Sequence, residues 1–165
     1  MNSHEIIDQY YRASRSEIVK YVSLRLHNSD EAEDLVQNVF LRLLSGHRLI
    51  SEVTLPHLVY TLCRHLIVDW YRRHAVRSEA ETELKMLYGG VDSAESGVLV
   101  RDLNEQLEHG LTRVSKKGRE LYRMHIYDGL KAGDICQLTD LPYKTVEYQL
   151  GMARKQVRTY LQKIS

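Results

Sequence analysis

The sequence has 165 residues, a formal net charge of +1, 43% hydrophobic and 27% charged residues. This composition excludes a disordered chain, and the length suits one ordinary domain or two small ones. No apolar stretch approaches a membrane span, and the N-terminus lacks the basic and apolar regions of a secretion signal, so we expect a cytoplasmic protein without membrane insertion.

The charge is distributed unevenly along the chain. Residues 1–74 balance to 0, residues 75–110 to −5 and residues 111–165 to +6. A basic C-terminal third is typical of a segment that meets nucleic acid while the rest meets something else. The two prolines, both at predicted helix starts, favour an all-α protein. Cys63 and Cys136 are expected to be reduced residues on apolar helix faces.

The first predicted element is helical over residues 5–27, as one long helix or two shorter ones that meet near residues 14–16. A second helix is predicted from Ser29 or Asp30, which are suitable capping residues, to about Leu44. It has an apolar stripe on one side. Its other side carries an unusual combination, three polar residues around an exposed leucine, which favours a protein-docking face over a merely solvated one: Asp34, Gln37, Asn38 and Leu41.

A third helix is predicted over residues 55–74. Aromatic and basic residues alternate outside its expected buried side, and this pattern is typical of a surface that stacks unpaired bases and neutralises phosphates. A basic helix end that complements its own dipole is the plainer interpretation. The residues that the nucleic-acid interpretation singles out are Tyr60, Arg64, His65, Tyr71, Arg72 and Arg73.

Residues 75–98 are acidic, contain Gly and Ser, and lose the helical periodicity, which predicts a flexible linker. A short helix before Gly89 is the longest element expected there. Helices are predicted again at about 99–110 and 116–128. The expected architecture is therefore two small helical domains, residues 1–74 and 99–165, joined by that linker.

The last segment predicts two short helices around the polar turn Thr139–Asp140, with Pro142 at the start of the second. Leu130, Ile135, Leu138, Leu141, Val146 and Leu150 are the expected core. A short helix, a tight turn and a helix with a basic end describe a helix-turn-helix, whose second helix enters a DNA major groove. A surface helical hairpin is the plainer alternative. The outer face of the second helix presents Tyr143, Lys144, Thr145, Glu147, Tyr148, Arg154 and Lys155.

Two motifs in this order resemble the sigma-70 family of transcription factors. The run EAEDLVQNVFLRL, residues 31–43, resembles the region 2 signature of that family, and YTLCRHLIVDWYRR, residues 60–73, is similar to the run that follows it. The C-terminal segment, with Asp128–Gly129–Leu130 and Thr145–Val146, resembles region 4. Absence of regions 1 and 3 indicates the extracytoplasmic-function group. KTVEYQLGMARKQVR is also similar to the iron-starvation-type branch of Bacteroidota.

The resemblance implies a function for each surface. The helix carrying Asp34 and Leu41 would dock on the coiled coil of the polymerase β′ subunit, within a core enzyme that includes the β subunit. The helix at 55–74 would face the melted −10 element, where a base is flipped out. The helix-turn-helix would read the −35 element. An anti-sigma factor is implied as a further partner, and neither a cofactor nor a small-molecule substrate is.

Three positions depart from the family pattern. His65 stands where Asn is frequent, which affects the expected base preference of the −10 surface. Glu147 stands where many members have a basic residue, so it either reads a cytosine amino group or lies off the DNA. Asp140 stands at a turn position often filled by Gly and tolerates the left-handed conformation.

Two alternatives accompany the sigma-factor interpretation. A plain helix-turn-helix regulator that binds duplex DNA as a dimer would explain residues 99–165 and leave the first domain without a role. A sigma-like decoy that binds an anti-sigma partner without promoter activity would fit the acidic linker. An enzyme is not expected, because no P-loop, glycine fingerprint or metalloprotease motif is present. No metal site is expected either, because no two histidines have ligand spacing on one helix.

Overall fold

The computed structural model describes residues 1–46, 50–74 and 97–164. These residues form helices and no strand, so the predicted all-α class is confirmed. They fall into two compact units, one containing the first three helices and the other the remaining four. The helices are α1 (Ser3–Leu26), α2 (Ser29–Ser45), α3 (Leu55–His74), α4 (Gly97–Leu111), α5 (Lys116–Ile126), α6 (Ala132–Thr139) and α7 (Tyr143–Ile164).

Helices α1 and α2 form a hairpin that depends on local capping. α1 is one continuous helix, and Asn2 and Glu5 close a capping box at its start. It ends at His27, whose φ of 57° reverses the chain, and Asn28 then caps α2 by accepting a hydrogen bond from the Glu31 N–H at 3.1 Å. The predicted cap at Ser29 or Asp30 is therefore wrong by one or two residues. A two-residue connection makes α1 and α2 antiparallel neighbours.

Helix α3 packs against both members of this hairpin. Because it is covered from two sides, twelve of its twenty residues are buried, far more than one helical face provides. The predicted buried stripe of α2 is confirmed, apart from Leu44, which is exposed. The centre of the core is apolar and almost fully enclosed: Ile7, Ile18, Val22, Val36, Val39, Leu43, Val59 and Ile67.

In the second unit α7 is the helix against which α4, α5 and α6 all pack. It buries one continuous stripe along its 22 residues. The approach of α4 is close at Gly110, where an added Cβ would lie 3.3 Å from the Cα of Val157 and from the Cδ1 of Tyr160. The buried stripe consists of Val146, Leu150, Ala153, Val157 and Leu161.

The predicted helix-turn-helix is formed by α6 and α7. Asp140 ends α6 with a φ of 57° and donates its N–H to the carbonyl of Cys136 at 2.9 Å. The Pro142 carbonyl accepts from the N–H of Val146 at 3.1 Å, so Pro142 directly precedes the helix it was predicted to open. The turn at Thr139–Asp140 therefore depends on a residue that adopts the left-handed region more readily than most.

Some expected boundaries and core positions are corrected. Leu138 is 67% exposed, because α6 is only eight residues long and Ile135 is its one buried residue. The helix predicted to reach residue 128 ends at Ile126, since Gly129 turns the chain with a φ of 68°. The predicted linker lies outside the described residues except for Gly97 and Val98, which begin α4.

Two glycines in the second unit should respond oppositely to alanine. At Gly118 a Cβ would lie 2.8 Å from the Cγ1 of Val114 and 3.0 Å from the Oε1 of Gln149, whereas at Gly151 nothing lies within 4 Å. We expect Gly118→Ala to lower the free energy of unfolding by about 1–3 kcal/mol through overpacking. Gly151→Ala should raise it by about 1 kcal/mol through helix propensity.

Thermal and urea unfolding of the full chain, followed by circular dichroism, measures both changes. Gly133, on α6, also has nothing within 4 Å and serves as a second open-site control. Equal destabilisation by all three alanine substitutions would contradict this packing around α7.

Candidate functional site

The first candidate surface lies on the outer side of α2. The structure exposes all four residues predicted for docking, and Leu41 keeps 59% of its surface accessible. The opposite side of the helix is anchored in the core by residues such as Val36 and Val39. A rigid helix therefore presents one apolar side chain within a polar surround, which suits a partner with a complementary pocket. The four residues are Asp34, Gln37, Asn38 and Leu41.

Inside the same unit, five side chains of α1 and α3 form a group that we call the Tyr21 cluster. The Tyr21 hydroxyl accepts a hydrogen bond from Nε of Arg64 at 3.1 Å. The guanidinium carbon of Arg25 lies 3.5 Å from the centre of the Tyr21 ring, and Tyr60 meets the ring edge-on at 4.9 Å. The Tyr71 hydroxyl donates to the backbone carbonyl of Arg25.

The Tyr21 cluster changes the interpretation of three predicted DNA-facing residues. Arg64 is 1% exposed, Tyr60 2% and Tyr71 7%, so the expectation that they lie outside the buried side of α3 is wrong. Burial also raises the pKa of the Tyr60 phenol well above its usual range. In the free protein these side chains join α1 to α3. Periodicity misses this because α3 is enclosed from two directions.

The C-terminal end of α3 remains accessible and basic. Arg72 and Arg73 are exposed, and His65 is partly exposed about two turns earlier. Trp70 is half-buried. Its Nε1 donates to Glu31 at 3.3 Å, and its ring stacks on His74 with centroids 4.1 Å apart. The stacked rings beside two arginines form a surface suited to bases and phosphates. The sequence pattern did not predict this ring pair, although an aromatic residue four positions before a histidine on a helix indicates such a stack.

The second candidate surface is the outer face of α7. Tyr143 and Tyr148 are 57% and 65% exposed, and Lys144 and Glu147 are exposed between them. Thr145 is partly exposed. The Tyr143 hydroxyl donates a hydrogen bond of 2.6 Å to Oε1 of Glu147, one turn further along the helix. The predicted reading face is therefore accessible, and its acidic residue is already paired.

Positive charge follows this face toward the end of α7. Arg154, Lys155 and Arg158 are exposed. Burial raises the pKa of the Tyr122 phenol on α5 to about 12, although the positive charges of Arg154 and Arg158 oppose the rise. These cations are placed to attract a polyanion along the helix, since phosphate contacts position a protein on DNA.

The buried thiol and the distribution of metal-ligating side chains also characterise the described residues. Burial raises the pKa of the Cys63 thiol to about 12, so this thiol is protonated and enclosed rather than nucleophilic. Among residues 1–46, 50–74 and 97–164, His, Cys, Asp and Glu nowhere cluster in threes that could hold a metal ion. Helices long and apolar enough to cross a membrane are likewise not found over those ranges.

Both helical units match models of known protein families. The family model for Sigma-70 region 2 matches residues 6–77, and that for Sigma-70 region 4 matches residues 104–157. Two similar proteins from Bacillus subtilis strain 168 are RNA polymerase sigma factor SigZ, 22% identical over 163 residues, and RNA polymerase sigma factor YlaC, 25% identical over 169 residues. Each alignment covers 98% of this chain and 88% of the relative.

A third relative comes from Escherichia coli strain K12. Its ferric citrate uptake sigma factor FecI is 22% identical over 157 residues, which are 94% of this chain and 84% of FecI. The similarity therefore extends over nearly the whole length of the chain and of each relative.

The Tyr21 cluster predicts a stability effect that an exposed DNA-binding surface would not show. Tyr21→Phe removes the acceptor for Arg64 and leaves the ring in place. Because a buried hydrogen bond to a charged group contributes about 1.5–3 kcal/mol, we expect the free energy of unfolding to fall by about that amount. Chemical denaturation of the full chain measures it.

Tyr11→Phe is the matched control, because Tyr11 is only half-buried and packs its ring edge against Phe40 at 4.8 Å. The free energy of unfolding of this control variant should fall by no more than about 0.5 kcal/mol, as for most surface substitutions. Indistinguishable unfolding curves for the two variants would show that the bond between Tyr21 and Arg64 does not hold the helices together.

Proposed function

The chain belongs to the sigma-70 family, in its extracytoplasmic-function group, and on this premise we propose how its two helical units divide the work. It is an RNA polymerase sigma factor, which binds core RNA polymerase, directs it to promoters and promotes the initiation of transcription. One observation carries this conclusion: a region 2 unit and a region 4 helix-turn-helix occur in one chain, each matched over its own helices. We divide the chain into residues 1–74, 75–98 and 99–165.

Helix α2 is the proposed docking element for core polymerase, through the coiled coil of β′. The support is its exposed face, where Leu41 lies among Asp34, Gln37 and Asn38. An isolated apolar side chain surrounded by polar groups contributes most to the free energy of binding when the partner excludes water around it.

Helix α3 is the proposed contact for the −10 element, and its parts have different roles. His65, Arg72 and Arg73 contact the melted strand, with the stacked rings of Trp70 and His74 beside them. The buried residues of the Tyr21 cluster hold α3 in the orientation that presents this surface. Mutations can therefore distinguish the buried residues, which position α3, from the exposed residues, which contact the DNA.

Helix α7 is the proposed reader of the −35 element in the major groove. The N-terminal residues of a recognition helix contact base edges, and here they are Tyr143, Lys144 and Glu147, with Tyr148 following. Arg154 and Lys155 lie further along the helix, where they contact phosphates. This division assigns base readout to the helix start and affinity to its basic end.

Regulation by an anti-sigma factor is part of the proposal. Such a partner would compete with core polymerase for the α2 face, and both encounters would occur in the cytoplasm, where transcription takes place. The protein acts through binding and not as an enzyme. Membership of the iron-starvation-type branch stays a prediction from the KTVEYQLGMARKQVR segment.

The decisive experiment is run-off transcription with purified core polymerase on a promoter library from the source genome, with and without this protein. Specific transcripts that require the protein are expected. In the same assay Leu41→Ala should lower transcript yield by about fivefold or more at limiting core enzyme, since truncating a central, fully desolvated interface residue costs over about 1 kcal/mol. Leu24→Ala is the control, because Leu24 is another exposed leucine, on α1, outside the docking face.

The alternatives give distinct outcomes in this assay. Core binding without transcripts would favour a sigma-like decoy. Duplex binding without core binding would favour a plain helix-turn-helix regulator. Equal loss from Leu41→Ala and Leu24→Ala would remove the α2 face as the docking site.

A separate prediction concerns promoter opening. Replacing both Arg72 and Arg73 by alanine should leave core binding intact and reduce permanganate reactivity of thymines in the −10 region, because two phosphate-neutralising cations are lost. The defect should grow smaller on a promoter with a pre-melted bubble. Normal opening by this variant would place the −10 surface elsewhere on the unit.

A further inference from the structure

Helix α7 carries an acidic residue on the face proposed to read the −35 DNA. A carboxylate on a DNA-reading face is repelled by phosphate unless it finds a hydrogen-bond donor in the groove. Glu147 is exposed, and one of its oxygens, Oε1, accepts from the Tyr143 hydroxyl at 2.6 Å. This bond fixes the carboxylate on the helix surface and leaves Oε2 available as an acceptor.

The partner of Glu147 keeps the arrangement intact at neutral pH. The hydrogen bond to Glu147 raises the pKa of the Tyr143 phenol, so the phenol stays a protonated donor. Tyr143 is 57% exposed and makes this bond across one helix turn, where side chains at i and i+4 are neighbours. Its ring therefore supports the carboxylate from the side that faces the helix start.

One position on the helix surface beyond Glu147 carries no side chain. Gly151 lies one turn further along, and nothing comes within 4 Å of the position where its Cβ would be. A glycine inside an exposed helix costs about 1 kcal/mol relative to alanine and allows a close approach of the backbone to a ligand. A short side chain such as glutamate reaches a base edge only if the helix sits close to the groove floor.

We propose that Glu147 reads a cytosine in the −35 element by accepting a hydrogen bond from its 4-amino group, with Tyr143 positioning the carboxylate. The major groove offers amino donors only on cytosine and adenine. On adenine the amino group lies beside the N7 acceptor, which repels a carboxylate, whereas cytosine presents no acceptor next to its amino group. This assignment rests on the proposed function, because it requires that α7 enters the −35 major groove.

The test uses the holoenzyme reconstituted from core polymerase and the full chain. A promoter that supports transcription is randomised over its −35 element, and bound duplexes are sequenced for the wild type, E147Q, Y143F and Y160F. The wild type should enrich cytosine at one position by about tenfold or more. E147Q should lose that preference and shift toward adenine, since an amide pairs with N6 and N7 of adenine.

The two tyrosine variants separate positioning from a general effect of losing a phenol. Y143F should keep cytosine at that position with several-fold weaker discrimination, because only the support of the carboxylate is removed. Y160F is the matched control, since the Tyr160 ring packs toward Gly110 and His109 at the other end of α7. It should select the wild-type sequence.

Each outcome decides a different claim. Identical base preferences for E147Q and the wild type would overturn the assignment of Glu147, and identical preferences for Y143F and the wild type would overturn the role of Tyr143. If wild-type holoenzyme enriches no sequence over the −35 element, the proposed function of α7 fails and this assignment fails with it.

Discussion

The first unit depends on the placement of a charged side chain in its interior. Arg64 is enclosed almost completely, and its Nε bonds the hydroxyl of Tyr21 on α1. A buried cation is tolerated only where polar groups and aromatic faces compensate for the water it loses. This requirement fixes how α3 rotates about its own axis. The same rotation decides that Arg72 and Arg73 emerge at the surface, so an interior contact sets the geometry of the surface proposed to face the −10 DNA.

A comparable constraint governs the second unit, where α7 serves two purposes. One stripe of α7 closes the core against three helices, and the opposite surface is the proposed reader of the −35 element. Because Val146 and Leu150 are almost fully buried, the rotation of Tyr143 and Glu147 relative to the unit is fixed. The left-handed turn at Asp140 then sets the entry of the helix. The proposed −35 reading face is thus carried by a rigid element, which would keep base contacts precise.

The two units share a division between positioning and contact. In each, buried residues orient a helix that also presents exposed arginines and accessible aromatic rings at its surface. Trp70 connects two such roles within one unit, since its Nε1 bonds Glu31 on the proposed docking helix while its ring stacks with His74 near the basic end of α3. The surfaces proposed for polymerase docking and for promoter melting are therefore joined through a single packed core.

The sequence by itself determined the helical class, the approximate helix boundaries, the two-unit organisation and the exposed faces of α2 and α7. These follow from a 3.6-residue period, from capping residues and from turn residues, all of which act locally. The hydrophobic period alone could not show that α3 is covered from two directions, and only the tertiary structure decided this. As a result Tyr60, Arg64 and Tyr71 are interior, while Trp70 is half-exposed. It also decided that Leu138 lies outside the core and that Tyr143 pairs with Glu147. Burial depends on which helices pack together, and that is set by contacts between residues far apart in the chain.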